Sequence, residues 1–222
     1  MNVSQEPLAE IMRMGCVIAV VTIERVADAS PIAAALSAGG IKVMEVTLRS
    51  AAALAAIETI AANHTDVVVG AGTARCAQDF RDASNAGAQF IVSPGFTAAL
   101  ADSAAAVGRP WLAGVATASE VLQAQEAGLS RLKFFPAEPG GVETLRAFAA
   151  VFPDVRFCPT GGITLDSAAR WLALPNVDCV GGGWLTPQAA IDSQDWDKVK
   201  ALAAAAAKLE RPGAAGAGAP DR

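Results

Sequence analysis

The chain has 222 residues, 53% hydrophobic and 18% charged, with a formal net charge of −5. An acidic balance without a Lys/Arg cluster excludes nucleic acid as a partner, because a phosphate-binding face needs clustered cations. No run of about 20 apolar residues is free of Gly, Pro and charge, which argues against a transmembrane helix and a membrane partner.

The opening "MNVSQEPLAEIMRMG" has no basic start followed by a long apolar run, so no signal peptide is expected and a cytoplasmic location is. A short leading helix carries Glu10 and Arg13, both read as solvated. Strand and helix candidates then alternate. "CVIAVVTI" (16–23) precedes helix 30–38, "KVMEVTLR" (42–49) precedes 51–62, and "VVVGAG" (67–72) precedes 76–86. "FIVSPG" (90–95), "WLAGVA" (111–116) and "RLKFFP" (131–136) precede helices 97–107, 118–127 and 141–152. "VRFCPTGG" (155–162) and "VDCVGGGW" (177–184) precede 164–173 and a last helix at about 195–209.

Each strand candidate is an apolar run instead of a strict alternation, as expected of a parallel strand covered on both faces. Eight strands each followed by a helix predict an α/β chain with one domain, a (β/α)8 TIM barrel over residues 1–209. The rival, an open doubly wound sheet, often carries G-x-G-x-x-G after its first strand, and "CVIAVVTIERVADAS" has none. The Gly/Ala/Pro-rich residues 210–222 lack periodicity and are expected to be a disordered tail.

Cys16, Cys76, Cys158 and Cys179 form no C-x-x-C pair, and His64 is the sole histidine, so no metal site is expected. The cysteines read as reduced, buried and structural. His64 reads as a surface residue at a helix end, and Trp111, Trp171 and Trp196 as packing residues. Ser93 has no histidine to activate it, which argues against a Ser/His/Asp hydrolase.

In such barrels the active site lies at the C-terminal strand ends. Polar and special residues collect there: Glu45, Thr47 and Arg49, Thr73, Ser93 and Pro94, Lys133, Thr160 to Gly162, and Gly181 to Gly183. Glu45, Thr47 and Arg49 are two apart, so they share a strand face with Val43. They fit either a polar ligand or a structural ion pair closing a barrel layer. Lys133 stands among Leu132, Phe134 and Phe135, where an ammonium loses hydration it cannot easily replace. It fits an ion pair with Glu45, a snorkelling lysine, or an imine-forming nucleophile with a proton-shuttling carboxylate beside it. The glycine runs "GGITLDSAAR" and "GGGWLTP" suit tight turns, and equally suit an anion held by backbone N–H groups ahead of a helix.

Six stretches in order, "GGIKVMEVTLRS", "VVGAGT", "GAQFIVSPG", "RLKFFPAE", "VRFCPTGGI" and "CVGGGWLTP", together resemble the bacterial 2-keto-3-deoxy-6-phosphogluconate (KDPG) aldolases, over roughly residues 8 to 205. The resemblance implies a class I aldolase, needing no metal or cofactor, that cleaves KDPG to pyruvate and glyceraldehyde 3-phosphate. Many members also cleave 4-hydroxy-2-oxoglutarate (KHG) to pyruvate and glyoxylate. Lys133 would form the Schiff base and Glu45 would move protons. Arg49 and Thr73 would hold the 2-keto acid's carboxylate. Pro94, Phe135 and Thr160 would shape the pocket, and Gly161, Gly162, Gly182 and Gly183 would bind the phosphate. A homotrimer is implied. The "EVTLR" and "KFFPAE" forms favour the gluconate enzymes over the galactonate ones. The remaining alternatives are a phosphosugar isomerase or epimerase using Glu45 as base, and a non-catalytic anion-binding barrel. One departure stands out: Gly183 occupies a position where the family's "GGSW" has serine, which removes a hydroxyl donor to the phosphate.

Overall fold

The computed structural model describes residues 5–212. The helix α1 (Glu6–Arg13) precedes β1 (Val17–Val21), α2 (Ala29–Ala38), β2 (Val43–Thr47), α3 (Ala53–Asn63), β3 (Val68–Gly72) and α4 (Ala77–Asn85). Then follow β4 (Ile91–Val92), α5 (Ala98–Val107), β5 (Trp111–Val115), α6 (Ala118–Glu126), β6 (Arg131–Phe134), α7 (Ala137–Gly140) and α8 (Val142–Val151). The chain continues through β7 (Arg156–Pro159), α9 (Leu165–Leu172), β8 (Val180–Gly182), α10 (Gln188–Asp192) and α11 (Trp196–Ala206). The strands are parallel and ordered β7-β6-β5-β4-β3-β2-β1-β8. The bridges Phe157↔Val177 and Thr160↔Gly181 join β7 to the β8 segment and close the ring. The chain is therefore a (β/α)8 barrel, with the N-terminal helix the sequence predicts.

Two apolar layers hold it. The outer layer lies between strands and helices; there the Phe134 ring sits 6.3 Å from both Phe148 and Trp171. The inner layer comprises Ile18, Val43, Phe90, Val92, Leu112, Cys158 and Cys179, with Leu8 and Met12 of α1 packed against it. Ile18 and Val43 lie near strand starts, so α1 plugs the N-terminal end. The interior at the opposite, C-terminal end is left for polar side chains. No helix among the described residues is long and apolar enough to cross a membrane.

Several expectations need adjustment. The strand expected at 90–95 shrinks to two residues, because Pro94 has no N–H for the ladder. The helices α7 and α10, of four and five residues, are too short to show a period and follow Pro136 and Pro187. Cys158 and Cys179 are buried as expected, but Cys76 is exposed and Cys16 is half-buried. Cys76 is not a strand residue: it is the N-cap of α4, where Asp79 accepts from its N–H. His64 is half-buried and shares a 2.6 Å hydrogen bond with Ser30. Arg13 is exposed, as expected, and pairs at the surface with Glu6 at 2.8 Å. Arg211, assigned by sequence to the tail, donates to the Asp178 carbonyl at 2.7 Å; residues 213–222 lie outside the described residues.

Candidate active site

A cavity of about 460 Å³ opens at the C-terminal end of the barrel, within the usual range of small-molecule sites. Lys133 and Glu45 stand on its wall, with side chains only 7% and 3% exposed and Lys133 Nζ donating to Glu45 Oε1 at 3.3 Å. Their elements impose this. Glu45 is two residues beyond Val43 of the inner layer, and Lys133 pairs in register with Gly114 on one side and Cys158 on the other. The Glu45 carboxylate needs room that Gly72 provides: a Cβ at Gly72 would lie 2.1 Å from Glu45 Oε1. Of the two phenylalanines flanking Lys133 in sequence, alternation turns Phe134 outward. Only Phe135 faces the lysine, with its ring centroid 5.3 Å from Nζ.

Beside this pair lies a cluster of donors. Arg49 and Thr47 line the cavity, and Arg49 Nη2 donates to Thr22 Oγ1 at 3.1 Å. Thr73 also lines it, with φ 64°, a left-handed conformation rare for a β-branched residue. Such strain costs on the order of 1–3 kcal/mol and persists only when neighbours fix it. Here the Gly72 carbonyl accepts from Leu48 N–H at 2.8 Å, and Ala74 N–H donates to the Val92 carbonyl at 3.0 Å.

The far side is backbone. Gly161 and Gly162 adopt φ 106° and 80°, conformations that open the β7 turn and that L side chains rarely adopt. The turn leads to Thr164, which caps α9 by accepting from Ser167 N–H at 3.2 Å. Glu138 braces it from behind. Its N–H donates to the Gly161 carbonyl at 3.0 Å, and its side chain packs where a Gly162 Cβ would go, 2.7 Å from Cγ. Its carboxylate accepts from Arg170 and, at 3.2 Å, from Trp171 Nε1. The Arg170 hydrogen bond holds the Glu138 carboxyl below its ordinary value, against desolvation that would raise it.

Of the residues singled out from sequence, Glu45, Arg49, Thr73, Pro94, Lys133, Phe135, Thr160, Gly161, Gly162 and Gly183 line this one cavity. Gly182 does not: its Cβ direction is filled by the Trp184 ring and Leu185. Strand alternation explains the miss, since Gly181 and Gly183 share a face and both line the cavity. Val20, Ile163 and Trp184 line it as well, and no sequence signal beyond their nearness to strand ends marks them. Ser93 is spent internally, donating to the Gly95 carbonyl and accepting from Trp111 Nε1 at 2.9 Å.

Fold and site together define a class: a (β/α)8 barrel holding a buried lysine–carboxylate pair in a polar cavity of small-molecule size. The comparisons narrow it. A family profile described as "KDPG and KHG aldolase" matches residues 8–202. The 2-dehydro-3-deoxy-phosphogluconate aldolase of Pseudomonas aeruginosa is 46% identical over 202 residues, 90% of this chain and 91% of the relative. The crystal structure of the Zymomonas mobilis 2-keto-3-deoxy-6-phosphogluconate aldolase with 3-phosphoglycerate superposes with a TM-score of 0.90 at 45% identity, covering 94% of this chain and 99% of that one. A Legionella pneumophila KDPG aldolase, with pyruvate captured as a covalent carbinolamine, gives a TM-score of 0.88 at 40% identity, covering 90% and 98%. The chain belongs to the KDPG and KHG aldolase family.

Proposed function

We propose that this protein is a class I aldolase that reversibly cleaves KDPG to pyruvate and glyceraldehyde 3-phosphate. The observation that carries the reading is the buried Lys133–Glu45 pair, 3.3 Å apart in the cavity at the C-terminal strand ends. In this reading Glu45 takes the proton that the lysine must shed, and Nζ adds to the substrate's C2 ketone. Glu45 returns that proton to the carbinolamine hydroxyl, which leaves as water and gives a protonated imine with Glu45 again a carboxylate. The C4 hydroxyl gives its proton to Glu45, directly or through a water, and the C3–C4 bond breaks. Its electron pair moves into the iminium, leaving an enamine on Lys133 and releasing glyceraldehyde 3-phosphate. Protonation at C3 and hydrolysis then release pyruvate and the free amine.

Arg49 and Thr73 would hold the carboxylate, where a guanidinium fork suits a planar anion. Pro94, Phe135 and Thr160 would shape the pocket, and the N–H groups around Gly161, Gly162 and Gly183 would hold the phosphate. The same carboxylate site would admit KHG. The family resemblance supports a homotrimer in the cytoplasm, and light scattering of the purified protein tests the former. Trapping with pyruvate and sodium borohydride, followed by peptide mapping, tests the mechanism. A pyruvate-sized adduct on Lys133, absent from Lys133→Ala, is the expected result. A folded protein with no adduct would remove the imine mechanism and leave an isomerase or binding role.

A further inference from the structure

We propose that Thr22 is a positioning residue for Arg49, and that Thr47 is a further substrate-binding residue, donating to the 2-keto acid's carboxylate. The proposal rests on the reading of Arg49 as the carboxylate fork. In β1 and β2, Val21 stands opposite Val46, so Thr22 and Thr47 face each other as the strands end. Their hydroxyl oxygens are 2.9 Å apart. Arg49 Nη2 donates to the Thr22 oxygen at 3.1 Å.

The polarity of this chain follows from the inventory of donors. A guanidinium only donates, so Thr22 accepts from Arg49. Accepting from a cation polarises the Thr22 O–H and strengthens it as a donor. Its proton therefore goes to Thr47 Oγ1. That leaves the Thr47 proton unspent. Thr47 is 1% exposed, lines the cavity, and among the described residues its hydroxyl bonds to Thr22 alone. A buried donor without an acceptor is costly, and a carboxylate in the cavity supplies the acceptor. Arg49 is otherwise exposed, and an untethered arginine would lose rotamer freedom on binding. The Thr22 contact fixes one end of the fork beforehand.

The test is borohydride trapping of pyruvate on the full-length protein, read as half-saturating pyruvate and as limiting trapping rate. Thr22→Val and Thr47→Val should each raise half-saturating pyruvate about tenfold, the loss of one hydrogen bond to a charged group. The limiting rate should stay within about twofold, since neither hydroxyl touches the Lys133–Glu45 pair. Thr22→Ser and Thr47→Ser should restore the wild-type value, and Thr22→Ala replaces Thr22→Val if that variant does not fold. Half-saturation for glyceraldehyde 3-phosphate in the aldol direction should not move. Arg49→Gln is the control. If it leaves half-saturating pyruvate unchanged, the carboxylate reading of Arg49 fails, and this proposal with it. If Arg49→Gln weakens pyruvate while folded Thr22 and Thr47 variants keep wild-type half-saturation, the proposal alone is overturned.

Discussion

Replacing Gly183 with serine tests what the departure from the family pattern does. Gly183 lines the cavity and is exposed, and a Cβ there would meet nothing nearer than the Val20 carbonyl oxygen at 3.9 Å. Its φ is outside the left-handed region, so a side chain adds no backbone strain. The direct steric cost is near zero, and removing a glycine from the unfolded ensemble is neutral to favourable by roughly 0.4–1 kcal/mol. The gain is one hydroxyl donor to a phosphate, worth roughly 1.5–3 kcal/mol. Because the site is open to water, the lower end applies, about tenfold in KM. Gly183→Ser should therefore lower KM for KDPG about tenfold, leave KM for unphosphorylated KHG within about twofold, and not lower Tm. Pyruvate release, read with a coupled dehydrogenase, measures both substrates. An unchanged KM for KDPG, or an equal fall for both substrates, would refute the assignment of this loop to the phosphate.

Gly72→Ala should keep the fold but lower kcat by roughly 100-fold, because the new methyl must displace the Glu45 carboxylate; steady-state kinetics beside circular dichroism check this. The Glu138–Arg170 pair should stabilise the protein in a defined pH window. The folded Glu138 value is depressed, so its contribution is complete above the ordinary glutamate value of about 4.3 and is lost as pH falls through the folded value. Wild type should thus melt above Glu138→Gln at pH 7, and the two curves should converge on acidification. Maleimide should label Cys76 first in the native protein. It should reach Cys158 and Cys179 only on unfolding, since both are buried and the Cys158 contact and burial raise the Cys179 thiol well above its ordinary value.

Strand order and closure were legible because every strand is covered on both faces, so its apolar run stands out against alanine-rich helices. The boundaries were less so. Apolar pattern continues past the last ladder bond, as in the six-residue stretch at 90–95 that contributes two strand residues. The site was legible where chemistry is rare at a strand end: a lysine among phenylalanines, or Glu, Thr and Arg at alternate positions. It was illegible where function is a partner's geometry. Thr22 sits in the plain run "VVTIER" and gains meaning only because parallel register sets it against Thr47. Glu138 is seven residues from the β6 start but braces a turn after β7, a contact that only the closed ring creates.

The proposed mechanism divides the cavity into a carboxylate end, a reacting centre and a phosphate end, and three ligands separate them. Pyruvate has the carboxylate alone, KHG adds a second carboxylate beyond the bond to be cleaved, and KDPG adds the phosphate. Arg49 acts before any bond is broken, so Arg49→Gln should weaken all three. Glu138 does not itself line the cavity; it braces the wall from behind, holding the Gly161 carbonyl and filling the space behind Gly162. Glu138→Gln keeps the backbone bond but weakens the tie to Arg170, so the turn gains freedom only where the phosphate would sit. Its KM for KDPG should rise several-fold, with half-saturating pyruvate and KM for KHG unchanged. If Glu138→Gln moves pyruvate as much as KDPG, the turn after β7 supports the whole mouth of the barrel, and the division between its two ends fails.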